Sequence, residues 1–220
     1  MSERLPDQIK PAEGTARALI EAAIEIFGNA GYAAASTREI AAKAGTNVAS
    51  IAYHFGGKEG LRLACAREFA ARMQSVVMAM PAEDPPTPEA AHIAIRALVS
   101  HVAPQMIGNP QMRAMISFVL REVAENGPGA QVIYDILIHP MHRRFCRLWG
   151  IATGQAPESA AVRLTVFTAI GQILYFRIGA PIVSRRMGWE AIGPEEVAQI
   201  TEVLLRNIEA VLAVTKGEEG

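Results

Sequence analysis

The sequence predicts an all-α fold of about nine helices, and three observations point there. No segment shows the strict apolar–polar alternation of a half-buried strand. Prolines recur just behind residues that can cap a helix: Thr87-Pro88 and Asn109-Pro110, then the weaker Gly127-Pro128, Ala156-Pro157 and Gly193-Pro194. Proline suits the first helical turn because its missing N–H has no intrahelical partner there and its φ is already helical. The composition, 50% hydrophobic but only 6% aromatic with abundant alanine, suits helices packed closely together.

Composition also bounds the function class. A chain of 220 residues that is half apolar has enough material for a core, so wholesale disorder is excluded. Cys65 and Cys146 are too few for a disulfide scaffold or a four-ligand zinc site, and the start shows no apolar stretch behind its charges. A reduced, cytoplasmic protein is the expectation. The most apolar run, Leu164–Phe176, contains Gln172 and falls short of the roughly 20 residues of a membrane span. It is expected to be a buried helix, with no membrane partner. At a net charge of −1, any nucleic-acid contact must be local and shape-specific.

In chain order, the first helix is expected over Thr15–Ala30, with Leu19, Ala23, Ile24 and Phe27 on one face and Gly31 as its stop. Two short helices follow, near Thr37–Ala44 and Val48–Phe55, and a longer one from Lys58 to about Met80. The prolines between Pro81 and Pro88 forbid continuation and mark a turn or linker. Further helices are expected near 89–103, 110–126 and 128–149, the last kinked or split at Pro140. Two apolar helices near 157–179 and 194–215 complete the map.

The first sixty or so residues carry the informative pattern. Ser36-Thr37-Arg38-Glu39 has the form of a capping box, with Ser36 as N-cap and Glu39 reaching back. The short helix it opens ends at Gly45, and Asn47 can cap the next helix at once. Helix, glycine-containing turn and second short helix form the helix-turn-helix arrangement, whose second helix enters the DNA major groove.

Thr37-Arg38-Glu39-Ile40-Ala41-Ala42-Lys43-Ala44-Gly45 and the later Ile51-Ala52-Tyr53-His54-Phe55-Gly56-Gly57-Lys58-Glu59-Gly60-Leu61 resemble the DNA-binding domain of the TetR family of transcriptional regulators. Ala22–Phe27 and Gly31-Tyr32 fit the same pattern. Gly171–Ile178 and Arg185–Trp189 further resemble the CecR-like subgroup. The resemblance implies a helix-turn-helix DNA-binding domain over residues 1–62 and a helical ligand-binding and dimerisation domain over 63–220. It implies a cytoplasmic homodimer on double-stranded operator DNA, most simply a repressor released from a palindromic operator by a small-molecule effector. A regulator without an effector, or an activator, is the alternative, and a helical enzyme a distant third.

Carried over by position, the resemblance places Thr37 and Arg38 at the groove edge and Asn47, Val48, Ala49, Ser50 and Ala52 at the start and outward face of the recognition helix. Tyr53, His54 and Lys58 follow, with Lys58 gripping the backbone; His54 can equally serve as a cap or packing residue. Ala49 and Ala52 offer only apolar contact, leaving Ser50 as the main hydrogen-bonding reader. Residues 1–62 hold Arg4, Lys10, Arg17, Arg38, Lys43, Lys58 and Arg62 against Glu3, Asp7, Glu13, Glu21, Glu25, Glu39 and Glu59, a net charge of zero. Binding therefore requires Arg38, Lys43 and Lys58 to be gathered on one side, aided by helix N-terminal amides.

In the C-terminal part, Val162, Val166, Ala169, Ile170 and Ile173 on one helix and Val197, Ile200, Leu204, Ile208 and Val211 on the next form long apolar faces. They are expected at a four-helix dimer interface, although the same faces could close a monomer core. Met106, Met112, Met115, Phe118, Phe145, Trp149, Phe167, Gln172 and Tyr175 are candidates for an effector pocket, although residues at such helical spacing are more often plain core. Glu89-x-x-His92 lacks the companion motif of a di-iron site, and His139 and His142 sit beside Arg143 and Arg144, so no metal or other cofactor is expected. No nucleophile elbow, Walker loop or dinucleotide fingerprint is present, and the two cysteines sit at apolar helical spacings.

Overall fold

The computed structural model describes residues 14–77 and 83–217, and every described element is helical. The helices are α1 (Thr15–Ala30), α2 (Thr37–Lys43), α3 (Ala49–Phe55), α4 (Lys58–Val77), α5 (Pro88–Gly108), α6 (Pro110–Ala124), α7 (Pro128–Ile133), α8 (His139–Thr153), α9 (Ala160–Ile178), α10 (Ala180–Met187) and α11 (Pro194–Gly217). A π-helical stretch, Tyr134–Ile138, joins α7 to α8. The expected end of the fourth helix at Met80 and the start of the proline linker at Pro81 lie outside the described residues.

Proline places the helix starts as expected at Pro88, Pro110, Pro128 and Pro194. Thr87 caps α5 by accepting the amide of Ala90 at 3.2 Å. Pro157 does not open a helix; Ser159 does, accepting the amide of Val162 at 3.2 Å. Pro104 lies inside α5, which continues to Gly108 because Ala103 and Ile107 are both buried. Helix α10 follows α9 directly and is an addition to the expected map.

Pro140 acts through a different geometry from a simple kink. It has no N–H for the carbonyl of Ile136, four residues back, and the helix widens to π form just ahead of it. The Gln74 side chain donates instead to that carbonyl at 3.0 Å. A side chain thus replaces the missing main-chain donor.

The chain folds as two compact units. The first comprises the described residues up to Ser75 together with Gln111–His139; the second comprises the described residues of 76–110 and 140–217. Residues 111–139 therefore pack with the N-terminal helices, whereas the resemblance implies a division that puts them in the C-terminal domain, 63–220. In this first unit, Leu19, Ala23, Ile24 and Phe27 are buried as the α1 periodicity predicts. Helix α6 lies close against α1, with Phe118 6.1 Å from Phe27 ring to ring. Arg121 caps the end of α1, its Nε donating to the carbonyl of Gly28 at 2.9 Å and its guanidinium to that of Asn29 at 3.0 Å.

The second unit has its own core, built from α5, α8, α9 and α11 around Trp149. Arg177 donates to the carbonyl of Ile107 at 2.8 Å and so closes the end of α5. His142 donates from Nε2 to the carbonyl of Arg163 at 3.1 Å, and its Nδ1 faces the Cys146 thiol at 3.6 Å. Burial pushes the Cys146 thiol up to about 11, helped by Glu158 and opposed by Arg163. Burial also raises Cys65 well above the usual thiol range, reinforced by Glu122 and Glu68. Both are packed, protonated thiols at neutral pH.

Helices α9 and α11 turn inward the faces expected to pair between protomers. Val162, Val166, Ala169, Ile173, Val197, Ile200, Leu204 and Ile208, expected at a dimer interface, are all buried in the second unit's own core. Ile170 is packed against that core, and Val211 alone of the set is exposed. The cause is that α9 is apolar on both sides. By length and composition it could cross a membrane, yet it buries one face and exposes Leu164, Phe167, Tyr175 and Ile178 on the other. Nor is it the wholly buried helix expected for Leu164–Phe176.

Two expectations follow for stability. A Cβ on Gly28 would stand 2.7 Å from the Ala114 carbonyl oxygen of α6. Gly28→Ala should therefore cost about 1–3 kcal/mol in urea denaturation, although alanine is the better helix former by about 1 kcal/mol. Because the folded Cys146 pKa lies above the unfolded one, the thiol's contribution is intact below pH 9 and declines as the pH rises from 9 to about 11. Thiol titration at pH 8 should find both cysteines unreactive in the folded chain and both reactive after unfolding.

Candidate nucleic-acid interface

The helix-turn-helix is assembled by short-range hydrogen bonds. Ser36 opens α2 by accepting the Arg38 amide at 3.2 Å, while Ile40 and Ala41 turn inward. Glu39 is exposed in the first turn, where the helix dipole favours its charge; the described hydrogen bonds give the cap to Ser36 alone. The chain leaves α2 through Gly45 at φ 66, and the Thr46 amide donates back to Ala41 at 2.9 Å. Asn47 then accepts both the amide of Ser50, at 3.0 Å, and its hydroxyl, at 3.2 Å. Thr46 and Ser50 exchange a further hydrogen bond at 3.0 Å.

This network revises the part expected of Ser50. Its hydroxyl is already engaged by Asn47 and Thr46, so it stiffens the start of α3 and keeps little capacity for an outside partner. Helix α3 points Ile51 inward at 2% exposure. Outward it presents Val48, Ala49, Ala52, Tyr53 and His54, the Tyr53 ring being 85% exposed. The Tyr53 and His54 rings meet edge-on at 4.9 Å. One seven-residue helix thus offers a small, mostly apolar ridge flanked by a phenol and an imidazole.

The cations are arranged differently from one another. Arg38 is exposed and forms no ion pair among the described residues, and Thr37 is half-buried beside it. Lys43 pairs with Glu25 at 2.7 Å, both side chains largely exposed. Lys58 is anchored: its ammonium donates to the Tyr32 carbonyl at 2.6 Å and lies 4.4 Å from the centre of the Tyr32 ring. The sequence pattern did not show this role of Tyr32, because the contact joins residues 26 apart.

The effector-pocket candidates fall into different surroundings. Met112, Met115 and Phe118 are core residues of the first unit. Phe145 and Trp149 belong to the core of the second, with Met106 packed against it. Phe167 and Tyr175 are about half exposed, and Gln172 accepts from Asn207 at 3.1 Å. Helical spacing made them look like one set; membership of two cores and an outer face separates them.

Two family models match the chain. Residues 19–65 match the model for bacterial regulatory proteins of the TetR family, and residues 91–214 match that for the C-terminal domain of the HTH-type transcriptional dual regulator CecR. The chain belongs to the TetR family, of CecR-like type. It is 34% identical to the HTH-type transcriptional dual regulator CecR of Shigella flexneri over 213 residues, covering 91% of this chain and 92% of that one. The regulatory protein RaaS of Mycobacterium tuberculosis is 29% identical over 175 residues, 77% of this chain and 76% of that protein. Among solved structures, a TetR-like regulator from Rhodococcus sp. RHA1 superposes with a TM-score of 0.63 at 17% identity, covering 93% of this chain and 99% of that one. AibR, solved in complex with isovaleryl coenzyme A and operator DNA, gives 0.64 at 19% identity, covering 87% and 96%. As a TetR-family regulator, the protein is a DNA-binding transcriptional regulator, and the exposed ridge of α3 lies within its DNA-binding domain.

The caps yield a separable test. Asn47→Ala removes the acceptor that holds both polar atoms of Ser50 and should lower stability by about 1 kcal/mol in urea titration.

Proposed function

We propose that this regulator represses transcription as a homodimer on a palindromic operator and that a small-molecule effector releases it. The observation that carries the reading is the α3 ridge: Tyr53, at 85% exposure, has little packing role, and Asn47 and Thr46 hold the helix start rigid beneath it. Val48, Ala49 and Ala52 read the groove through apolar contacts such as a thymine methyl, while Arg38, Tyr53, His54 and Lys58 meet phosphates. Ser50 and Asn47 position that surface, and Thr37 lines its edge. Residues 1–62 supply the DNA contacts, and residues 63–220 supply dimerisation and effector binding.

The dimer uses the faces of α9 and α11 that turn away from the core. Leu164, Phe167, Tyr175 and Ile178 on α9 and Val203, Val211 and Val214 on α11 are exposed apolar residues on two neighbouring helices. Pairing this face with its copy removes it from water and builds a four-helix interface. It also sets two recognition helices one DNA turn apart, about 34–36 Å. Effector binding in the cytoplasm favours a dimer with a different spacing, which lowers operator affinity. AibR and its bound isovaleryl coenzyme A make acyl-coenzyme A thioesters the first effectors to test. A second reading, activation at some promoters, is favoured by the CecR relative, which is described as a dual regulator.

Anisotropy and footprinting on the DNA upstream of the protein's own gene should show a protected palindrome bound more tightly than random sequence. Loss of protection on adding effector supports release, and indifference to every ligand tried counts against it. Tyr53→Ala should weaken operator binding about tenfold, roughly 1.4 kcal/mol. Its stability should stay within about 0.5 kcal/mol of the parent. Leu164→Glu, on the outer face of α9, should raise the dimer dissociation constant by about tenfold or more in sedimentation.

A further inference from the structure

We propose that Glu122 is a positioning residue for the DNA-binding surface, acting through Arg62 and Tyr32 to hold the Lys58 ammonium in place. The proposal rests on the reading that Lys58 meets the DNA backbone.

The chain of contacts lies within the first unit. Glu122 of α6 is 2% exposed and Arg62 of α4 is 8% exposed, and Arg62 donates from Nε to a Glu122 carboxylate oxygen at 2.5 Å. The other carboxylate oxygen accepts the Gly129 amide at 3.0 Å. The surrounding backbone is shaped to this carboxylate: a Cβ on Gly127 or Gly129 would stand 2.6 or 2.5 Å from Glu122 Oε2. Arg62 reaches a second carboxylate, Glu125, at 3.6 Å.

Beyond the ion pair, the Arg62 guanidinium lies 4.2 Å from the centre of the Tyr32 ring. The same ring carries the Lys58 ammonium at 4.4 Å, and the Tyr32 carbonyl accepts from that ammonium at 2.6 Å. Two cations therefore share one aromatic ring. Each is attracted to the ring quadrupole, but they repel one another. The buried Glu122 carboxylate offsets that repulsion where screening by water is weak. Without it, Arg62 and Lys58 compete for the ring and Lys58 loses its fixed position. An ammonium has three donors; the Tyr32 carbonyl occupies one and leaves the others for a phosphate.

The test is the salt dependence of binding to a random-sequence duplex at low ionic strength, which reads phosphate contacts without a known operator. Lys58→Met should lower the log–log slope by about 0.9 for each protomer bound. Glu122→Gln and Tyr32→Leu, which both retain Lys58, should lower it by a similar amount. In the Lys58→Met background, Glu122→Gln should change the slope no further, which separates positioning from a general structural role. Where circular dichroism shows Glu122→Gln unfolded, Glu122→Asp, which keeps the charge but draws it back from Arg62, decides for Glu122, and Tyr32→Leu tests the ring step with the ion pair intact. A wild-type slope in either Glu122→Gln or Tyr32→Leu, with a lowered slope in Lys58→Met, overturns the proposal and leaves the role of Lys58 standing. An unchanged slope in Lys58→Met overturns the role of Lys58 and the proposal with it.

Discussion

The buried ion pair between Arg62 and Glu122 is the constraint on which the N-terminal unit depends. Its two residues lie on α4 and α6, so it ties the helix that leaves the DNA-binding motif to one 60 residues away in sequence. Desolvating both charges is costly, and the Coulombic gain offsets that cost only with good geometry and further hydrogen bonds. Here the Gly129 amide and Glu125 supply such contacts. Such a pair adds little net stability compared with apolar residues of the same shape, but leaving either charge without its partner is strongly unfavourable. A packing of α6 on α4 that separated the two charges would therefore be strongly disfavoured.

Around that pair, α6 is held to α1 by directional contacts. Arg121 occupies the carbonyls that end α1, and Phe118 packs on Phe27. The DNA-binding motif thus sits in a unit of six helices, in which α6 and α7 pack with α1 to α4. Within it, stiffness comes from short polar contacts at the turn, where Asn47, Thr46 and Ser50 form a closed set. A recognition helix of seven residues is too short to be stable alone, so its order comes from this cap and from Ile51 buried beneath it.

The second unit shows how a helix with two apolar faces resists interpretation from periodicity. Helix α9 buries Val162, Val166, Ala169 and Ile173 while exposing Leu164, Phe167 and Tyr175. Each set has helical spacing, so neither announces itself as the inner one. Helix α11 is less ambiguous, since Glu202, Arg206 and Asn207 mark its outer side. The same limit applies to the methionines and aromatics once grouped as a pocket. Spacing along one helix says which residues share a face, but not which neighbour that face meets.

Features legible in the chain alone are those that short-range chemistry controls. Caps at Ser36, Asn47 and Thr87, helix starts at Pro88, Pro110, Pro128 and Pro194, and the buried stripe of α1 all arise from interactions spanning a few residues. The all-helical class and the helix-turn-helix follow from these, while the family rests on the resemblance of the residue runs Thr37–Gly45 and Ile51–Leu61. Tertiary structure decided the rest: which face of α9 turns inward, that residues 111–139 pack with the N-terminal helices, and that Lys58 rests on Tyr32. It also decided that Gln74 serves the carbonyl stranded by Pro140 and that Glu122 meets Arg62. These pairings join residues 26 to 62 positions apart, and in the unfolded chain each is one of many alternatives. Only the simultaneous packing of several helices makes them the lowest in free energy.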